Sequence, residues 1–463
     1  MEYNLIVIGS GPGGYVAAIR ASQLGLKVAV VEKAELGGVC LNWGCIPTKA
    51  LLKSASVFEY MNHAADYGIS LKGEVTADFE AMVKRSRGVA EAMSKGITFL
   101  FNKNKITTIQ GTAKVKPGNI VSVTGADGKT TDYPTEHIIL ATGARSRELP
   151  NLKQDGKKII GYREAMTLPK QPKSMVVVGS GAIGSEFAYF YHTIGTEVTL
   201  VEFMPNLVPV EDEEVSKQLE RSFKKSGMKV YTSASVEEVD TKGKLCKVKI
   251  KTKKGEEFVE AEIVLSAVGI ATNVEGLGLE ECGIKVEGGK VIVDEFYNTS
   301  TTGYYAIGDI VRGPALAHVA SHEGIICVEK IAGLHAEPLD YGNIPGCTYT
   351  HPEIASVGMT EKAARDAGYD IKVGKFPFSA SGKAKAAGAS DGFVKVIFDA
   401  KYGEWLGAHL IGENVTELIA EAVVARKLET TGHEIINAVH PHPTMSEAIM
   451  EAVAAAYGEV IHL

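Results

Sequence analysis

The chain has 463 residues, a formal net charge of −7 and a 45% share of hydrophobic residues. Disordered and collagen-like chains are excluded, and no basic footprint invites nucleic acid or an anionic membrane surface. Six cysteines are too sparse for a secreted disulfide scaffold, and at roughly 150 residues per domain the length suggests about three domains.

The N-terminus, MEYNLIVIGSG, enters a strand pattern at once, with no leader signal, and no uncharged apolar run is long enough to span a bilayer. The expectation is a soluble, cytoplasmic protein of a reducing compartment, where a disulfide is more often catalytic than structural. Residues 7–32, VIGSGPGGYVAAIRASQLGLKVAVVE, read as strand, Gly-rich turn, helix and second strand. Gly9, Gly11 and Gly14 permit the tight turn and bring backbone N–H groups and a helix N-terminus toward a pyrophosphate; Glu32 would accept hydrogen bonds from ribose hydroxyls.

Next comes GGVCLNWGCIPTK at 37–49, with Cys40 and Cys45. The remaining cysteines, Cys246, Cys282, Cys327 and Cys347, are scattered, which disfavours a metal site. Two readings stand: a pair of inert core cysteines, or a redox pair beside a bound flavin. In an ideal helix, residues five apart have Cα atoms ~8–9 Å apart. A disulfide needs less than ~7 Å, so a bridge requires a distorted turn. Gly44 can supply it, and Pro47 suits a helix start.

Residues 75–103 read as a helix, 105–133 as β-rich, and HIILATGA at 137–144 as the closing strand of the first nucleotide module. The fingerprint then recurs at 177–202, VVGSGAIGSEFAYFYHTIGTEVTLVE, with Gly179, Gly181, Gly184 and Glu202. A carboxylate at Glu202, followed by Phe203, Met204, Pro205 and Asn206 with no basic residue, predicts NAD rather than NADP. Two dinucleotides in one chain suggest a flavin–nicotinamide hydride relay. A helix at 211–227 and β-rich sequence at 228–260 precede the second closing strand, IVLSAVGI, at 263–270. The run from Lys242 to Lys254 alternates with apolar residues and reads as an exposed strand pair whose lysines guard a sheet edge. YAIGD at 305–309 ends a strand at Asp309, which could bond a flavin sugar chain.

From about Tyr341 the pattern becomes antiparallel strands followed by helices near 414–430 and 444–457. HPHPTMSE, 440–447, offers His442 as an acid–base group for thiol chemistry and Glu447 as its orienter. His440 is the competing base. Thr444 and Glu447 also have the spacing of a capping box, and the X-Pro bonds permit a cis peptide.

Taken together, GGVCLNWGCIPTK, VVGSGAIGSEF, YAIGD and HPHPTMSE resemble the flavoprotein disulfide reductase family along essentially the whole chain. The resemblance implies an α/β fold with two Rossmann-like FAD/NAD(P)-binding domains and a C-terminal α+β dimerisation domain. The expected division is 1–147 and 271–342 for FAD, 148–270 for NAD and 343–463 for the interface. Cys40 would be the interchange thiol and Cys45 the thiolate in charge-transfer contact with FAD. Lys49 would lie near the flavin, paired with Glu186. His442 and Glu447 would serve the disulfide of the other subunit of a homodimer. The family pattern adds cofactor contacts at Lys33, Gly38, Ala113, Thr142, Gly143, Asp309 and Ala317, and at Ile183, Val236, Ala267 and Gly269. It further implies oxidation of dihydrolipoyl groups with NAD+. The partners would be lipoyl domains and the E2 subunit of 2-oxoacid dehydrogenase complexes, or a glycine-cleavage H protein, with neither metal, nucleic acid nor membrane involved. One departure stands out: Ile270 and Ala271 occupy a stretch where many family members carry Arg.

Overall fold

A computed structural model describes residues 2–463, which form two units. The first takes the N-terminal stretch to Leu51 together with Asp78–Arg147 and Gly269–Leu339; the second takes Leu52–Ala77, Glu148–Val268 and Asp340–Leu463.

In the first unit the strand Tyr3–Ile8 lies parallel between Val28–Glu32 and Thr130–Leu140. Thr107–Gln110 and Tyr304–Ala306 extend this parallel layer on either side. Leu5, Ile6 and Val7 are wholly buried because both faces of the sheet are covered, as a parallel sheet requires. Leu5 and Val7 pack with Ala17, Ala18 and Phe101, whereas Ile6 and Ile8 face Val115, Val121 and Tyr304. The helix Pro12–Gln23 buries only small residues, Gly13, Gly14, Ala17, Ala18 and Ala21, so the helix Ala317–Ile331 can approach closely. A Cβ on Gly324 would stand 2.8 Å from the Gly13 carbonyl oxygen.

The second unit repeats the parallel arrangement in a five-stranded sheet, with Ser174–Val178 between Glu197–Val201 and Ile263–Ser266. The lysine run corrects the edge-guard expectation. Cys246–Thr252 is the central strand of a three-stranded antiparallel sheet, paired on one side with Ser235–Asp240 and on the other with Gly255–Ala261. Cys246, Val248 and Ile250 are buried beneath it. On the other face Lys247 stands opposite Asp240 and Glu260, and Lys251 opposite Glu256. The lysines therefore meet carboxylates across the ladder, a favourable cross-strand pairing, and guard no edge.

The C-terminal sheet is five-stranded and antiparallel, covered by the helices Val415–Lys427 and Glu447–Tyr457. A polar row crosses it: Ser356 pairs with His409, His409 with Lys395, and Lys395 with Lys375. Lys395 is 2% exposed, and its Nζ lies 3.0 Å from Asp212, 3.0 Å from Glu214 and 2.8 Å from Glu361. Burial disfavours its charge, but these carboxylates outweigh that and push its pKa up. Asp212 also caps the helix Glu213–Lys225.

Candidate functional site

The two glycine turns are near-superimposable in their local chemistry. Gly9 and Gly179 adopt φ +101° and +96°, and a Cβ on either would stand 2.3 or 2.4 Å from the carbonyl oxygen of Ala141 or Ala267. A Cβ on Gly14 or Gly184 would stand 1.9 Å from the carbonyl oxygen of Gly9 or Gly179. These positions close the turn onto the sheet and onto its own helix, and exclude any side chain. Gly11 and Gly181 differ: a Cβ there would meet nothing within 4 Å. Each opens its turn at the N-terminus of a helix, Pro12–Gln23 or Ala182–Thr193. That clear surface of backbone at a helix N-terminus fits a dinucleotide pyrophosphate.

The acidic residues are equally matched. Glu32 Oε2 accepts from the Ser10 N–H at 2.9 Å and the Ser10 hydroxyl at 2.7 Å; Glu202 Oε2 accepts from the Ser180 N–H and hydroxyl, both at 2.7 Å. The other oxygen of Glu32 accepts from Lys33 and Ala34 N–H, and that of Glu202 from Met204 N–H. Each serine hydroxyl in turn accepts from a downstream N–H, Gly37 in one unit and Val208 in the other, at 3.2 Å. The serines thus tie turn, acidic residue and following loop together. Their signal in the sequence is the G-S-G shared by the two copies.

The cysteine segment folds as two helices, Gly38–Trp43 and Cys45–Asn62, broken at Gly44 with φ −142° and ψ −118°. A Cβ on Gly44 would stand 3.0 Å from the Val39 carbonyl oxygen and 3.3 Å from the Cys40 Cα. The break is the required distortion, and Pro47 sits in the first turn of the second helix, where its missing N–H costs nothing. Both cysteines are thiols, Cys40 half-buried and Cys45 exposed. They are close enough to hydrogen-bond, and that bond, then burial, pushes the Cys40 thiol far up. Lys49, one turn beyond Cys45, opposes the rise with its charge.

In the second unit His442 Nδ1 lies 2.9 Å from Glu447 Oε1, and the His442 side chain is 78% exposed. Glu447 Oε2 accepts from the Thr444 N–H at 2.8 Å. Burial raises the Glu447 carboxyl, but the Thr444 N–H and His442 outweigh it, and the net displacement is downward. The carboxylate therefore persists at neutral pH and is lost only in acid, as pH falls through a value below the ordinary one. The capping box forms only by half. The helix Glu447–Tyr457 has Ser446 at its N-cap, and the Thr444 hydroxyl donates to the Pro441 carbonyl. The His442–Pro443 peptide is cis. His440 is held differently: Nδ1 lies 2.9 Å from the Ala438 carbonyl oxygen and Nε2 2.9 Å from Glu421 Oε1. Burial lowers its pKa, but Glu421 and that carbonyl outweigh it and the net displacement is upward, and both nitrogens are engaged.

The other expected contacts distribute between the units. In the first, a Cβ on Gly38 would stand 2.6 Å from the Gly11 Cα. Lys33 is exposed and Ala113 buried. The Thr142 hydroxyl donates to the Asn273 carbonyl, and the Gly143 carbonyl accepts from the Asn273 N–H. Asp309 lies in the turn Gly308–Ile310, its carboxyl pushed up by burial. Ala317 begins the helix behind it. Buried Glu323, which the sequence did not flag, accepts from the Gly308 N–H at 2.6 Å. Gly269 has φ +109°, and Ala271 stands opposite Arg145, whose guanidinium is held by Glu275. In the second unit Ile183 is exposed, Val236 lies buried in the strand Ser235–Asp240, Ala267 follows the strand Ile263–Ser266 and donates its N–H to the Val178 carbonyl, and buried Glu186 accepts from the Tyr349 N–H at 3.0 Å.

Residues 3–324 match the pyridine nucleotide-disulphide oxidoreductase family, and residues 344–453 match its dimerisation domain. A dihydrolipoyl dehydrogenase of Rhizobium etli is 50% identical, covering 100% of this chain and 99% of that relative. One from Bacillus subtilis is 44% identical with the same coverage. Among solved structures, LpdA from Mycobacterium tuberculosis aligns with a TM-score of 0.90 and 29% identity, over 97% of this chain and 99% of that one.

Proposed function

The chain belongs to the pyridine nucleotide-disulphide oxidoreductase family, and from that premise we propose that it is a dihydrolipoyl dehydrogenase using FAD and NAD+. The observation that carries this reading is the thiol pair at a glycine break, in a chain that also holds an exposed histidine oriented by a carboxylate.

Each residue then has a task. Glu447 fixes Nδ1 of His442 as the protonated nitrogen, which leaves Nε2 to take the proton of a dihydrolipoyl thiol. The resulting substrate thiolate attacks the sulfur of Cys40 in the Cys40–Cys45 disulfide, and the S–S bond breaks toward Cys45. The second substrate thiol attacks the substrate sulfur of the mixed disulfide and its proton passes to the departing Cys40 sulfur, whose thiol strongly favours it; lipoyl leaves oxidised and the first proton stays on His442. The negative charge thus falls to Cys45, with Lys49 one turn away. FAD, when bound, relays the electron pair from the dithiol to NAD+. Gly9, Gly11, Gly14, Gly38, Glu32 and Asp309 would hold FAD; Gly179, Gly181, Gly184 and Glu202 would hold NAD+.

The dimerisation domain supports a homodimer in which His442 serves the disulfide of the other protomer, and its exposure in the single chain fits that arrangement. Lipoyl domains and the E2 core of a 2-oxoacid dehydrogenase complex, or a glycine-cleavage H protein, would be the partners. Among the described residues no helix is long and apolar enough to cross a membrane.

The deciding assay offers dihydrolipoamide and glutathione side by side, each with NAD+ and NADP+. Dihydrolipoamide with NAD+ is the expected fast combination; glutathione turnover with NADP+ would sink the reading. The two glycine turns can be separated as well. A Cβ at position 11 or 181 meets no heavy atom within 4 Å, so a valine is expected to leave the turn folded while its branch fills the surface meant for a pyrophosphate. Gly11→Val should yield protein without flavin. Gly181→Val should stay yellow and lose ~100-fold in NAD+ affinity, about 2.7 kcal/mol. Flavin content and the KM for NAD+ check this.

A further inference from the structure

Within the first unit the helix Phe79–Lys103 packs on the cysteine-bearing segment. Three consecutive residues of it reach carbonyls on both sides of the Gly44 break. Arg87 Nη1 donates to the Asn42 carbonyl at 2.5 Å, the Ser86 hydroxyl to the Pro47 carbonyl at 2.9 Å, and Arg85 Nη1 to the Ala50 carbonyl at 2.7 Å. The Arg87 guanidinium also stacks 4.1 Å from the centroid of Trp43. Asn42 lies in the last turn of the six-residue helix Gly38–Trp43, where carbonyls have no partner within the helix and a cation complements the helix end. So short a helix does not hold its own direction in isolation.

The consequence concerns the thiols. Relaxation of Gly44 toward a continuous helix would move the Cys40 and Cys45 Cα atoms to ~8–9 Å apart, past the ~7 Å reach of a disulfide. The contacts from Arg87 and Ser86 hold the two helices at an angle instead. We propose that Arg87, assisted by Ser86 and Arg85, is a positioning residue for the Cys40–Cys45 pair, and that by fixing the helix–break–helix angle it sets how readily the disulfide closes. This rests on the reading that the pair cycles between disulfide and dithiol.

The test uses the holoenzyme equilibrated in glutathione buffers. Two glutathione thiols reduce the Cys40–Cys45 disulfide to the dithiol and become one glutathione disulfide, so one S–S bond breaks, one forms, and two electrons and two protons pass to the protein. Alkylation followed by peptide mass reports the fraction of Cys40 and Cys45 left as thiol. The expected result for Arg87→Met is half-reduction at a roughly tenfold lower ratio of squared glutathione to glutathione disulfide, about 30 mV. Arg87→Lys keeps a charge and a donor but not the planar fork or its stacking, and should fall between Met and wild type. Ser86→Ala should shift in the same direction by less, and carries the test if Arg87→Met fails to retain flavin. Midpoints unchanged in Arg87→Lys and Ser86→Ala, or in Arg87→Met where it folds, overturn the proposal. A wild-type pair that forms no disulfide in any buffer overturns the catalytic reading itself, and the inference with it, so the two failures are distinct.

Discussion

Serine at position 45 should abolish dihydrolipoamide oxidation, with a loss on the order of 10³-fold or more, the scale of removing a group that carries a covalent step. Without the Cys45 sulfur, no disulfide exists for a substrate thiolate to attack and no thiolate remains to deliver electrons onward. The substitution is structurally mild, because Cys45 is exposed at the start of its helix. Cys40→Ser should be equally inactive, for a different reason: the entry sulfur is missing. Both variants should bind flavin and still pass electrons from NADH to an artificial quinone, since that route needs the two dinucleotides and neither thiol. Steady-state rates with both acceptors make the distinction. Loss of both activities together would point to damaged folding, and retention of dihydrolipoamide turnover would remove the thiol pair from the mechanism.

How far the sequence reached depends on whether a feature is local. The glycine turns were legible because their constraints lie within the repeat itself: Gly9 and Gly14 press on the same turn, and Gly179 and Gly184 do so again. The need for a distorted Cys40–Cys45 turn followed from helix geometry, and Gly44 supplies it. Features set by distant partners were not legible. Alternation in the lysine run correctly gives one buried and one charged face, but strand order decides edge against centre. That order comes from Ser235–Asp240 and Gly255–Ala261, whose acidic side chains flank the lysines. Likewise, His440 and His442 are indistinguishable as letters. Glu421, on another helix, occupies His440 and leaves His442 for Glu447. Arg87 carried no motif at all; only the packing of its helix on the Gly38–Trp43 segment gives it meaning.

The second large effect belongs to His442. Glutamine there keeps the approximate shape but cannot take a proton, and should slow dihydrolipoamide oxidation by on the order of 10²–10⁴-fold, the usual contribution of a positioned general base. Electron transfer from NADH to a quinone should be unaffected. Glu447→Gln should cost less, because it weakens the orientation of the base without removing it. The His442→Gln/Glu447→Gln double variant should be no slower than His442→Gln alone, since Glu447 acts through His442 and the two effects are not additive. A hybrid dimer then asks which protomer His442 serves. One protomer carries Cys45→Ser and the other His442→Gln. If the base acts across a two-fold interface, the first protomer's His442 meets the second protomer's intact thiols, and about half of the wild-type activity per dimer returns. If the base acts within its own chain, neither site is complete and the hybrid stays inactive. Activity of the purified hybrid, compared with the two parental homodimers, decides between them.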